Sequence, residues 1–186
     1  GSLLGFLAAT MGGWVDQVLS RFVDVVISIP TLIFALIVLS STGTSILALV
    51  TVIAIIYAMP VYRIARAVAM DIEVMDYVEA ARLRGEGLWW IMRKEILPNA
   101  LTPLAAEFGL RFCFVFLLIS GLSFLGLGLQ PPLADWGAMV RDNGGGIAWG
   151  FMHPLVPATC IALLTIGINL IVDSAVQKAS GLREDH

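Results

Sequence analysis

Charge is scarce in this chain. Only 13% of its 186 residues are Asp, Glu, Lys or Arg, where a soluble domain carries about 25%. Histidine is nearly missing, with only His153 and the terminal His186, so no metal-ligand spacing can be drawn. The two cysteines, Cys113 and Cys160, sit inside apolar runs and read as small buried hydrophobes, not as a disulfide framework. No run of basic residues suggests nucleic acid. Gly144-Gly145-Gly146 is not followed by Gly-Lys-Ser/Thr, so a phosphate-cradling loop is absent. What is abundant is apolar surface: 59% of residues are hydrophobic and the mean hydropathy is +0.91. One soluble core of this size cannot hide so much, and a lipid-facing surface accounts for it.

The apolar residues come in runs close to the roughly 20 residues that a helix needs to cross a bilayer. Spans are expected at residues 25–39, 46–62, 100–122 and 154–172, and residues 2–11 read as the end of a further one. Nothing charged precedes that first run and no start methionine opens it, so it is not a signal peptide; the chain is expected to be truncated at its N-terminus. The runs are too long and uniform for a β-barrel, so an all-α polytopic bundle is expected. Arg63, Arg66, Arg82, Arg84, Arg93 and Lys94 fall between the second and third full spans, which places that loop in the cytoplasm. By alternation residues 12–24 with Arg21, and the tail with Lys178 and Arg183, are cytoplasmic. Residues 123–153, with Arg141 alone, are external.

The cytoplasmic loop is patterned. Asp76-Tyr77-Val78-Glu79 reads as a helix start, with Asp76 capping and Glu79 closing a capping box. Ala80 to Leu83 favour helix. Gly85-Glu86-Gly87 then allows a sharp turn, and Leu88 to Met92 resume a short helix before Pro98 opens the next span. On spacing alone the favoured reading is an ordinary amphipathic helix pair lying at the membrane surface.

Glu79-Ala80-Ala81, then Gly85, then Leu97-Pro98 resembles the EAA motif of ABC importer permeases. A second stretch, Leu122-Ser123-Phe124-Leu125-Gly126-Leu127-Gly128 with Gln130-Pro131-Pro132, Trp136-Gly137 and Met139, resembles the dipeptide/oligopeptide/nickel branch, and its second permease in particular. Gly12-Gly13-Trp14 with Asp16 fits that branch too. The resemblance covers nearly the whole chain and implies the C-terminal part of a permease. It implies that residues 76–96 form the coupling helix loop that docks on a cytoplasmic ATPase, with Asp76, Tyr77, Glu79, Ala80, Ala81, Gly85, Leu97 and Pro98 as its residues. It also implies a second homologous permease, ATPase subunits carrying the ATP and Mg, an extracytoplasmic substrate-binding protein, and a bacterial inner membrane. No cofactor is expected on this chain. Departures are Glu95, where the pattern has isoleucine or histidine, Ile119, where many relatives have glutamate, and Val172, where glycine is usual.

Other residues carry two readings. Glu107 and Arg111, four apart in one span, either line the translocation path or neutralise each other within the helix. Asn169 is a path candidate, and its neighbour Asp173 suits a cap or an interhelical contact. Gly121, Gly126 and Gly128 either let helices approach closely or shape the external turn. Gln130-Pro131-Pro132 and Trp136 suggest a compact external loop, either touching a binding protein or anchoring at the interface. His153 suits an interfacial position. A secondary transporter would need ion-coupling carboxylates at mid-membrane or discontinuous helices, and Glu107 is its one weak candidate. A membrane-embedded enzyme would need a catalytic constellation, and none is visible.

Overall fold

Pro30 divides a run that hydropathy alone joins. It has no N–H to donate and restricts the residue before it, so one helix ends at Ile27 and another begins at Thr31. The computed structural model describes residues 1–181; Arg183 and His186 lie outside the described residues. The elements are α1 (Ser2–Met11), α2 (Gly13–Ile27), α3 (Thr31–Thr42), α4 (Ile46–Glu73), α5 (Asp76–Leu83), α6 (Leu88–Ile91), a π turn (Met92–Ile96), α7 (Leu97–Phe124), α8 (Trp136–Asn143), a 3₁₀ turn (Gly144–Trp149) and α9 (Leu155–Gly181). No strand occurs among the described residues. Three helical stretches are long and apolar enough to cross a membrane: Ile46–Glu73, Leu88–Phe124 and Leu155–Ser174. The α2–α3 pair adds a fourth if the two are one broken span. The fold is therefore the expected all-α polytopic one.

The helices run past several of the expected spans. Residues 25–39, expected as one span, fall in two helices, and most of the segment 12–24 is helix α2. Its residues repeat at helical spacing. Leu19, Val23 and Ile27 form one apolar stripe, packed with Ala8 and Tyr62, while Asp16, Ser20 and Asp24 form a polar one beside it. The run at 46–62 continues as helix to Glu73, with Pro60 tolerated inside it. The second short helix is not separate either. From Leu88 the chain is helical through to Phe124, widened only at Met92–Ile96, where the Leu97 N–H donates to the Met92 carbonyl. A widened turn ahead of Pro98 lets the helix pass a residue that can neither donate a hydrogen bond nor fit its ring against the preceding turn.

The chain forms two compact units. One contains Gly1–Ile29, Ile56–Phe108 and the last turn of α9 from Lys178. Its core gathers Phe6 and Ala9 of α1, Ala65, Ala69 and Ile72 of α4, Val78 and Ala81 of α5, Ile91, Met92 and Ile96, and Ala100 of α7. Polar ties join α2 to α4. The Asp16 carboxylate takes both Nε and Nη2 of Arg66, the second at 2.5 Å. Ser20 donates to Asp16 at 3.2 Å and meets the Tyr62 hydroxyl at 2.9 Å. Arg63 pairs with Asp24 at 2.6 Å.

The other unit holds Pro30–Ile55 and Gly109–Gln177. Here α7 and α9 approach closely. A Cβ placed on Gly109 would overlap the side chain of Val172, so valine at 172 requires glycine at 109. Cys113 Sγ lies 3.8 Å from the Thr165 carbonyl across the same pair. At the end of α7 the Gly126 N–H donates to Ser123 and the Leu127 N–H to Leu122, a glycine stop of the Schellman kind. Asp135 then caps α8 through the Ala138 N–H at 3.0 Å. Trp136 sits edge-on to Phe116, 6.2 Å between centroids, and Arg141 donates to the Ser123 carbonyl at 3.3 Å. Residues 123–153 thus include helical structure, and Gly126 shapes the turn. A Cβ on Gly121 would meet nothing within 4 Å, so that glycine serves no close approach here. In the Leu155–Ser174 stretch only 6% of the apolar window is buried, so α9 presents a largely open apolar surface.

Candidate functional site

The patterned loop becomes a short helix held between two long ones. At the end of α4 the Met75 N–H donates to the Ile72 carbonyl at 3.0 Å, and the chain turns into α5. Met75, not Asp76, is the residue flanking the helix. Its backbone is extended, and its carbonyl accepts from Val78 and Glu79 at 2.9 and 3.2 Å. No side chain caps this end, so the expected capping box does not form. Asp76 and Glu79 instead lie within the first turn, where negative charge is favoured by the helix dipole.

The two faces of α5 differ. Val78 and Ala81 are fully buried in the core against α1, α4 and the α6–α7 stretch. Asp76, Tyr77, Glu79 and Ala80 are exposed. Apolar side chains flank them, with Leu83 83% and Val74 81% exposed. Of the paired alanines, then, Ala81 packs inward and Ala80 faces out.

α5 stops where the sequence expects. Gly85 has φ +82°, its N–H donates to the Arg82 carbonyl at 2.9 Å, and the Glu86 N–H donates to the Ala81 carbonyl at 3.2 Å. Those two bonds are the Schellman pattern, which needs a left-handed residue at Gly85. Gly87 is extended and any residue could adopt that conformation.

Two arginines on this short segment reach carboxylates on different long elements. Arg82 pairs with Glu73, the last residue of α4. Arg84 lies 3.9 Å from Glu95 in the π turn, and its guanidinium sits 5.7 Å from the centroid of the Trp90 ring. Spacing along the chain does not reveal these pairs, because each crosses a turn.

Leu97 and Pro98 are exposed at the start of α7 and are not part of the outward face of α5. Leu97 instead helps wall an apolar cavity of about 170 Å³ with Leu3, Phe6, Trp89, Met92 and Arg93. Elsewhere, Glu107 is buried, with 6% exposure. Arg111, one turn on, is half-buried with its guanidinium 5.7 Å from the Phe114 ring centroid. Asn169 is half-buried and Asp173 exposed. Because α9 continues to Gly181, Asp173 lies within the helix and cannot cap it.

Residues 1–179 match the family described as binding-protein-dependent transport system inner membrane component. The chain is 34% identical over 174 residues to the probable D,D-dipeptide transport system permease protein DdpC of Escherichia coli. It is 30% identical over 174 residues to the glutathione transport system permease protein GsiD of Pectobacterium atrosepticum. It is 34% identical over 174 residues to the di/tripeptide transport system permease protein DppC of Pseudomonas aeruginosa. Each alignment covers 93% of this chain and 57–58% of the relative, so the chain spans less than two thirds of the length of these relatives. A match over nearly all of its residues, on an all-helical fold with apolar spans and a short helix between two of them, makes this chain a member of the binding-protein-dependent transport system inner membrane component family.

Proposed function

We propose that this chain is part of a permease subunit of an ABC importer in the bacterial inner membrane, of the second permease type in the dipeptide/oligopeptide/nickel branch. Its cargo is a di- or oligopeptide or a related small solute. The observation that carries this reading is α5: eight residues with a buried apolar face, an exposed face bearing Asp76, Tyr77, Glu79 and Ala80, and a glycine stop. Such a helix is too short to be stable alone. It gains its structure from the core it shares with α1, α4 and α7, so a force applied to its outer face moves that core. ATP and Mg are bound by partner ATPase subunits, and this chain binds no cofactor and catalyses no reaction. A second homologous permease covers part of the apolar surface, lipid covers the rest, and an extracytoplasmic binding protein delivers the cargo. Glu107, Arg111 and Asn169 are the path candidates, because polar groups in apolar spans tend to face the bundle interior or a water-filled cavity.

Co-purification tests the reading. The full-length permease, expressed with its partner permease and ATPase subunits, is expected to carry the ATPase through purification and to bind no ATP without it. In intact cells Asp142→Cys should react with an impermeant thiol reagent, and Lys94→Cys should react only after permeabilisation. ATP bound by the permease alone, or the reverse labelling pattern, contradicts the proposal.

A further inference from the structure

Burial alone holds α5 weakly, since Val78 and Ala81 are its buried side chains. Two arginines supplement that hold. Arg82, in the last turn of α5, pairs with Glu73 at the end of α4, and Arg84, just past the helix, pairs with Glu95 in the π turn that leads into α7. In each pair the carboxylate is the more buried partner and the guanidinium is about half exposed. Both cations stand near the C-terminal end of α5, where the helix dipole favours positive charge. Arg84 is further fixed over the Trp90 ring. Glu95 lies in the one widened turn of the Leu88–Phe124 stretch, and π turns mark points where a helix can change its hydrogen-bonding register.

We infer that Arg82 and Arg84 are positioning residues that clip α5 to the ends of α4 and α7, so that a displacement of α5 reaches both long helices together. Glu73 and Glu95 are the receiving ends of the clip. This rests on the reading of α5 as the element that meets the ATPase, and it adds the route by which motion leaves that element. An exposed ion pair contributes little to stability. Losing one clip should therefore leave the fold and the docking surface largely intact while loosening transmission.

The test uses the complete importer reconstituted in liposomes: full-length permease, partner permease, ATPase subunits and binding protein. The readout is substrate taken up per ATP hydrolysed, with ATPase co-purification measured alongside. Arg84→Glu and Glu95→Arg alone should each lower that ratio about two- to fivefold, the range that a partly exposed ion pair produces. The ATPase should still co-purify. Arg84→Glu combined with Glu95→Arg should recover at least half of the loss, and Arg82→Glu with Glu73→Arg should behave likewise. Glu95→Gln, which keeps shape and removes charge, should lower the ratio in the same direction and covers the case in which a reversed charge prevents folding. Unchanged ratios in the single variants, or double variants no better than the single ones, overturn the inference. Failure of the unaltered permease to retain the ATPase overturns the underlying reading, and the inference with it.

Discussion

Gly85→Val is expected to leave the subunit inserted and paired with its partner permease while ATP-driven uptake falls about tenfold or more. Gly85 stands at φ +82°, a region in which a β-branched residue is a genuine outlier, and strain of this kind costs about 1–3 kcal/mol. No neighbour stands in the way, since a Cβ there would meet nothing within 4 Å, so the effect is one of backbone conformation and not of crowding. The chain relieves the strain by abandoning the two hydrogen bonds that close α5, from Gly85 to Arg82 and from Glu86 to Ala81. The outer face of α5 then points elsewhere and Arg84 loses its approach to Glu95. About 1.4 kcal/mol corresponds to a tenfold change in an equilibrium, so a strain of this size suffices to depopulate the docking geometry. The spans do not depend on this turn. Gly85→Asn, which tolerates the left-handed region, should retain more uptake than Gly85→Ala, and Gly85→Ala more than Gly85→Val. Uptake normalised to inserted protein checks the order. Equal uptake in all four proteins would mean that the turn positions nothing.

Asp16→Ala should be the more destabilising of the two carboxylate losses in the α2–α4 contact, by about 1–3 kcal/mol, between the values for exposed and fully buried pairs. The Asp16 carboxylate receives two donors from Arg66 and one from Ser20, and Ser20 in turn meets the buried hydroxyl end of Tyr62. Removing the carboxylate leaves a half-buried guanidinium without its main partner and breaks a connected network. Asp24→Ala removes a pair whose two side chains are about half exposed and should cost less than about 1 kcal/mol. Unfolding titrations in mixed micelles compare the two directly. Equal losses would show that the Asp16 network contributes no more than a surface pair.

Hydropathy marks the apolar runs, because lipid-facing length is written in composition, but it does not mark where a helix ends. α4 runs on past Arg63, Arg66 and Asp71 to Glu73, since a helix needs no lipid to continue its backbone bonds. The helix α2 was hidden by the same bias. No span was expected there, and the four-residue spacing of Asp16, Ser20 and Asp24 was the available sign of a helix face. Gly85 was legible because glycine fits a left-handed stop at the lowest cost. Asp76 misled by one position, since a carboxylate is favourable both at a cap and in the first turn. Pro98 misled because a π turn can carry a helix through it. The pairs Arg82–Glu73 and Arg84–Glu95 follow no local period and become visible only once the turns have folded.

The central claim, that the outer face of α5 meets an ATPase in the cytoplasm, is tested most directly by crosslinking from that face. Leu83 is 83% exposed on α5, and Trp136 begins α8 in the segment assigned to the outside. In a full-length permease with Cys113 and Cys160 replaced by alanine, assembled with its partners, Leu83→Cys is expected to crosslink to the ATPase subunit with a yield that changes when nucleotide binds, and Trp136→Cys is expected to give no such product. Crosslinking to the ATPase from position 136 and not from position 83 would contradict the account.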